Sequence, residues 1–174
     1  MTTFRVHRQK FVFLSGQLLN MADLSASAAA KPNKALEPLS ILIGEWSTAG
    51  KHPLIPGITF HGRVSFKWLA GGAFVMMHSE MSEKEIPAGI AIFGSDDSID
   101  EYTMLYFDER GVSRKYLSTL ENNTWKWWRP DPGFSQRFTG TIIDNGHTII
   151  GKGEMSRNGA PWEDDLELIY TRIR

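Results

Sequence analysis

The chain has 174 residues, 41% hydrophobic and 22% charged, with a formal net charge of -1. That length suits one domain with a real core, and the near-neutral balance excludes the electrostatic footprint of a binder of nucleic acid or anionic membrane. With no cysteine present, disulfides, thiolate metal sites and a Cys nucleophile are excluded, and a reducing, cytoplasmic setting is the expectation.

Residues 1–34 read as a poorly ordered tail and 35–174 as the folded domain. In the tail, Arg5, Arg8 and Lys10 precede the apolar run FVFLSGQLL, and the small residues SASAAA follow. That order resembles a signal peptide. Ser15 and Gly16 interrupt the run, however, and Asn20 and Asp23 separate it from the alanines. The plainer reading is a normal cytosolic start at Met21. No apolar run approaches the ~20 residues of a membrane-spanning helix.

Leu36, Leu39, Leu42 and Ile43 have helix-like spacing, Pro38 falls in the first turn, and Gly44 stops the run. A short capping helix is expected there. From Trp46 onward the chain reads as strands. In TFHGRVSFKWL (59–69), Phe60, Val64, Phe66 and Trp68 share one face with Gly62, while His61, Arg63, Ser65 and Lys67 share the other. Further strands are expected over 73–81, 89–94, 102–108, 112–120, 124–129, 134–143, 147–155 and 162–174. Short turns such as GG, ERG, ENN, PDPG and DNG separate them.

No segment between these strands is long enough for a crossover helix, so sequential neighbours pair antiparallel. An all-β, up-and-down antiparallel barrel of about nine to ten strands, with a short N-terminal capping helix, solves the edge problem most simply. Gly44-Glu45-Trp46 then opens the first strand at the closed end, where the indole acts as a plug. Arg172 shares parity with Leu166, Leu168 and Tyr170 on the last strand, so its guanidinium is expected on the Trp46 ring.

With GEW at the first strand and an Arg at the end of the last, the sequence resembles the calycin superfamily, which includes lipocalins and fatty-acid-binding proteins. The ordered set LIGEWSTAG, WLAGGAFVMMH, YTMLYFDERGVSRKY, WKW, FTGTIIDNGHTIIGKGE and DLELIYTR is more closely similar to a bacterial family of small lipocalin-like barrels, a domain of unknown function. The resemblance covers about residues 36–172 and implies a barrel with an internal cavity. It carries no catalytic residue. A more distant likeness is to nitrobindin-type haem barrels, which isomerise peroxynitrite and take their axial haem ligand from a His near the C-terminus. Here the last His is His147 and the final strand has none, so no haem ligand is carried over.

Parity nominates the pocket. Phe74, Met76 and His78 share one face of a strand that is apolar on both faces. Arg114 lies between Val112 and Tyr116, Gln136 between Phe134 and Phe138, and Arg129 follows Trp125 and Trp127. A guanidinium inside a barrel is costly unless paired or wet. Arg114 is therefore an ion-pair partner of Glu80 or Asp164, a group solvated in a water-filled lumen, or an anchor for a carboxylate or phosphate. His52 precedes Pro53 and reads as a turn residue, His61 as solvated and His147 as a rim residue. In WEDDLEL, the face of Glu163, Asp165 and Glu167 reads as solvated. No His pair has metal-site spacing, and no nucleophile or phosphate-loop motif occurs.

The expectation is binding of a small, partly apolar ligand, such as a carboxylate, without catalysis. The expected lining is Phe74, Met76, His78, Arg114, Tyr116, Trp127 and Gln136, with Arg114 as the main positive group. Trp46 and Arg172 close the barrel. No catalytic residue, metal, cofactor, nucleic acid or membrane partner is expected, and a homodimer is compatible with the sequence. The rival readings are a haem-dependent isomerase, a barrel enzyme using His78, Glu80 and Arg114, and a structural or interaction module with a filled barrel.

Overall fold

The computed structural model describes residues 32–173. Of the expected tail, residues 1–31 lie outside the described residues, while Asn33 and Lys34 belong to the domain. Asn33 Oδ1 accepts the Ala35 amide at 3.1 Å and caps a 3₁₀ helix over Lys34–Leu42. Leu36, Leu39 and Leu42 recur every three residues, the period of a 3₁₀ helix, and all three are fully buried. The expected capping helix is thus present in the tighter form.

Ten strands follow: β1 (Gly44–Lys51), β2 (Phe60–Leu69), β3 (Phe74–Met81), β4 (Gly89–Ser95), β5 (Tyr102–Asp108), β6 (Ser113–Glu121), β7 (Thr124–Arg129), β8 (Phe134–Ile143), β9 (Thr148–Arg157) and β10 (Glu163–Arg172). Each pairs antiparallel with its sequence neighbour, and β1 pairs with β10, so the sheet closes with no free edge. This is the all-β, up-and-down barrel read from the alternation and the turns. Among the described residues no helix is long and apolar enough to cross a membrane.

Gly44 makes the transition from helix to strand. Its φ of 137° is a conformation that side-chain-bearing residues rarely adopt. The turn it allows sends Trp46, two residues on, to the inside of β1, where it is fully buried. The core lies at this end. Phe66, Phe93 and Trp125 form one aromatic cluster, with Phe66 edge-on to Trp125 at 5.7 Å between centroids. Phe138 extends it at 5.4 Å from Trp125 and stacks flat on Trp127 at 5.1 Å.

The parity expected for β3 is corrected by its neighbour. β2 has a clear inner face, and antiparallel pairing puts opposite residues on the same side of the sheet. Val64 faces Ser79, Phe66 faces Met77 and Trp68 faces Val75. Val75, Met77 and Ser79 therefore point inward, and Phe74, Met76 and His78 point outward. Phe74 is 43% exposed, whereas Val75 is fully buried. The strand's own composition could not choose a side, because both of its faces are apolar.

Candidate functional site

One end of the barrel is sealed by the 3₁₀ helix. The Trp46 indole donates from Nε1 to Leu42 O at 2.9 Å. Arg172, directly opposite Trp46 in register, lays its guanidinium 4.1 Å over the indole. The same guanidinium donates to Gly146 O at 2.9 Å, to Ile43 O at 2.6 Å and to Ile41 O. It thereby fastens the helix exit and the β8–β9 turn to the last strand. Trp46 and Arg172 form the closure expected from their parity.

Toward the other end the inward positions become small or polar, with Gly62 on β2, Ser79 on β3, Gly89 on β4 and Gly153 on β9. A cavity of about 290 Å³ opens above the core. Its deep wall is apolar, with Phe60, Val64, Met77, Met104, Trp125 and Leu168. Its mouth is polar.

The mouth carries a chain of hydrogen bonds across four elements. Tyr116 Oη on β6 donates to Gln136 Oε1 on β8 at 2.6 Å, and Gln136 Nε2 donates to Asp165 Oδ2 on β10 at 2.5 Å. His52 Nε2, from the β1–β2 loop, lies 3.4 Å from Asp165 Oδ1. His52 Nδ1 accepts the Leu54 amide at 3.0 Å, which places the proton of the neutral ring on Nε2, aimed at the carboxylate. Burial would raise the Asp165 carboxyl. The hydrogen bonds from His52 and Gln136, together with the nearby His52 and Arg114, outweigh that and hold it below the usual carboxylate range. It is an ionised, fully engaged acceptor.

Three arginines reach this mouth. Arg110 is tied to Asp108 by Nη2–Oδ2 at 2.7 Å and Nε–Oδ1 at 3.3 Å, so its charge is spent locally. Arg157 lines the cavity from β9. Arg114 stacks on Phe134 with Cζ 4.3 Å from the ring centroid. Its expected ion-pair partners are elsewhere: Glu80 is outside the barrel beside His78, at 3.8 Å, and Asp164 is bound to Lys152 at 2.8 Å. Burial raises the Tyr116 hydroxyl more than the neighbouring Arg114 lowers it, so the phenol stays protonated.

Of the seven nominated pocket residues, Arg114, Tyr116, Trp127 and Gln136 line the cavity together. Phe74, Met76 and His78 do not, for the reason of register given above. Arg129 is a rim residue, donating to Asp131 at 2.7 Å and to Phe134 O at 2.9 Å. His61 is solvent-exposed, as read, and His147 sits at the closed end with Nδ1 2.9 Å from Asp144 O.

Two residues escaped the sequence reading. The acidic run reads as a solvated face, but the register slips between Asp164 and Leu166. This bulge turns Asp165 inward beside Leu166, and its exposure falls to 7%. The signal available was the conflict between an unbroken acidic triplet and the strict alternation of the residues after it. His52 does form a turn, with Ile55 N donating to its carbonyl at 3.0 Å. Its ring nevertheless folds back over the mouth, which no local pattern announces.

The fold and site together define an up-and-down barrel, plugged at one end, with a polar-mouthed internal chamber at the other. Neither a family model nor a curated protein matches the chain. Among solved structures, that of Rv2717c from M. tuberculosis is similar over 83% of this chain and 100% of that one, with a TM-score of 0.60 at 17% sequence identity. At that identity the likeness is one of fold.

Proposed function

We propose that this barrel binds a small, partly apolar ligand carrying an acidic group, and performs no chemistry on it. The carrying observation is Arg114: it faces the mouth of the chamber, stacked on Phe134, and no carboxylate among the described residues neutralises it by direct ion pairing. An apolar body fits the deep wall and an acid at the mouth meets Arg114, which suits bidentate recognition. The calycin-like sequence pattern and the chamber of about 290 Å³ support the same reading.

The rivals have less support. A filled barrel leaves no such volume. An enzyme built on His78, Glu80 and Arg114 lacks its assembly, since the first two point away from the third. His52 is the histidine that lines the chamber among the described residues. With one ring nitrogen accepting the Leu54 amide and the other directed at Asp165, it offers no open lone pair for a general base or a haem iron.

Calorimetric titration with decanoic acid and decanol tests the proposal. The acid is expected to bind tighter than the alcohol by about 1 kcal/mol, or fivefold, a modest figure because the mouth is open to solvent. Arg114→Leu should reverse the order. Equal affinity for acid and alcohol in the unmutated protein would reject the anchor role.

A further inference from the structure

Tyr170 on β10 is a buried polar group that the reading above does not use. It is 5% exposed and lines the chamber at its floor, opposite Thr48 on β1 and Ile149 on β9. Its ring is gripped by Trp46 and Trp125, each with a centroid 6.4 Å away and edge-on or steeply inclined. The other hydroxyls of the chamber are engaged: Tyr106 donates to Asp108 at 3.2 Å, Tyr116 to Gln136 at 2.6 Å, and Ser79 to Gly89 O at 3.2 Å. Among the described residues no hydrogen bond engages the Tyr170 hydroxyl, and burial alone shifts its titration upward, so it remains a protonated donor. Among the described residues, no side-chain polar atom that is sealed from solvent lacks a partner. The Tyr170 oxygen is therefore open, and the space it opens on is the chamber.

A phenol hydroxyl held at the floor of an apolar chamber without a protein partner is unfavourable compared with the same ring without its oxygen. Phenylalanine would fill the position without that cost. We infer that Tyr170 is a second ligand anchor, and that the ligand is bipolar: an acid at the mouth and a hydroxyl or carbonyl at its far end. The inference rests on the proposed acid site at Arg114 for the orientation of the ligand. The chamber holds about 290 Å³. That fits a short chain, such as a medium-length ω-hydroxy or ω-oxo acid.

The experiment is calorimetric titration of octanoic, decanoic and dodecanoic acids and their ω-hydroxy derivatives, into the unmutated protein and Tyr170→Phe. For the length that spans the chamber, the ω-hydroxy acid should bind about 2- to 12-fold tighter than the plain acid, the range of one neutral hydrogen bond. Tyr170→Phe should abolish or reverse that preference and leave the midpoint of thermal unfolding unchanged or raised, because no internal hydrogen bond is lost. No ω-hydroxy preference at any length, or a preference that survives in Tyr170→Phe, overturns the inference. The two proposals fail separately. Loss of the acid-over-alcohol preference rejects the Arg114 site, and a hydroxyl preference abolished by Tyr170→Phe would still stand beside that result.

Discussion

The two ends of this barrel are built from similar aromatic side chains, put to opposite use. At the closed end Trp46, Phe66, Phe93 and Trp125 are fully buried against one another and against the leucines of the 3₁₀ helix. The cation there, Arg172, is consumed by three backbone carbonyls and an indole face. At the open end Tyr106, Tyr116 and Trp127 are only partly packed or tethered by hydroxyls, and Arg114 rests on the edge of an unfilled space. The difference lies in how completely the inward side chains fill the barrel. Below, large rings pack against one another, whereas above Tyr106, Tyr116, Trp127 and Arg114 stand around a space they do not fill. A closed sheet fixes the diameter, so side-chain volume decides which part is core and which is chamber.

Stability and ligand binding therefore respond to different residues. The largest effect is expected from Phe66→Ala, which should lower unfolding free energy by about 3–5 kcal/mol through lost burial and a residual cavity. Urea denaturation measures it. A cost below about 1 kcal/mol would mean that the aromatic cluster is not the principal core.

Arg172→Ala comes next. It removes the cation over Trp46 and leaves the carbonyls of Ile41, Ile43 and Gly146 without their donor, at a cost of about 1–3 kcal/mol. Decanoic acid affinity should be unchanged within error in the fraction that remains folded. A selective loss of binding would couple the closed end to the chamber.

Asp165 probes the open end by pH. Its carboxyl titrates lower in the folded chain than the ordinary Asp value of about 3.9, so folding favours the ionised form. The stability it contributes is fully present above that ordinary value and is lost as pH falls through the lower, folded one. Asp165→Asn should therefore flatten part of the acid limb in a plot of urea midpoint against pH. An unchanged acid limb would show that the hydrogen bonds from His52 and Gln136 do not hold the carboxylate in solution.

The smallest effect is expected outside the barrel. His78→Ala should change stability by no more than about 0.5 kcal/mol, as for other surface positions, and should leave decanoic acid affinity intact. A clear loss of binding would put the face of β3 that carries His78 inside the barrel.

What was legible in the sequence was legible for local reasons. Alternation on β2, turns such as Asn145-Gly146, and the lack of room for crossover helices fix strands, their order and antiparallel closure. Gly44 and Trp46 mark the plugged end because a positive φ is a property of one residue and a plug needs one large ring. Arg114, Tyr116, Trp127 and Gln136 were readable as inward because their strands have one distinctly apolar face.

Tertiary structure decided the rest. Both faces of Phe74–Met81 are apolar, so only pairing with β2 could choose its inner side. Asp165 depends on a bulge, where one strand has a residue more than its partner, and that is a relation between β9 and β10 and a property of neither alone. His52 reaches the mouth because a loop folds across space to a carboxylate 113 positions further along the chain. The sequence by itself determined the strands, their order and the sealed end, since these follow from patterns within a few residues. The packing of distant strands determined which groups share the chamber, since a side chain's face is set by its neighbours across the sheet.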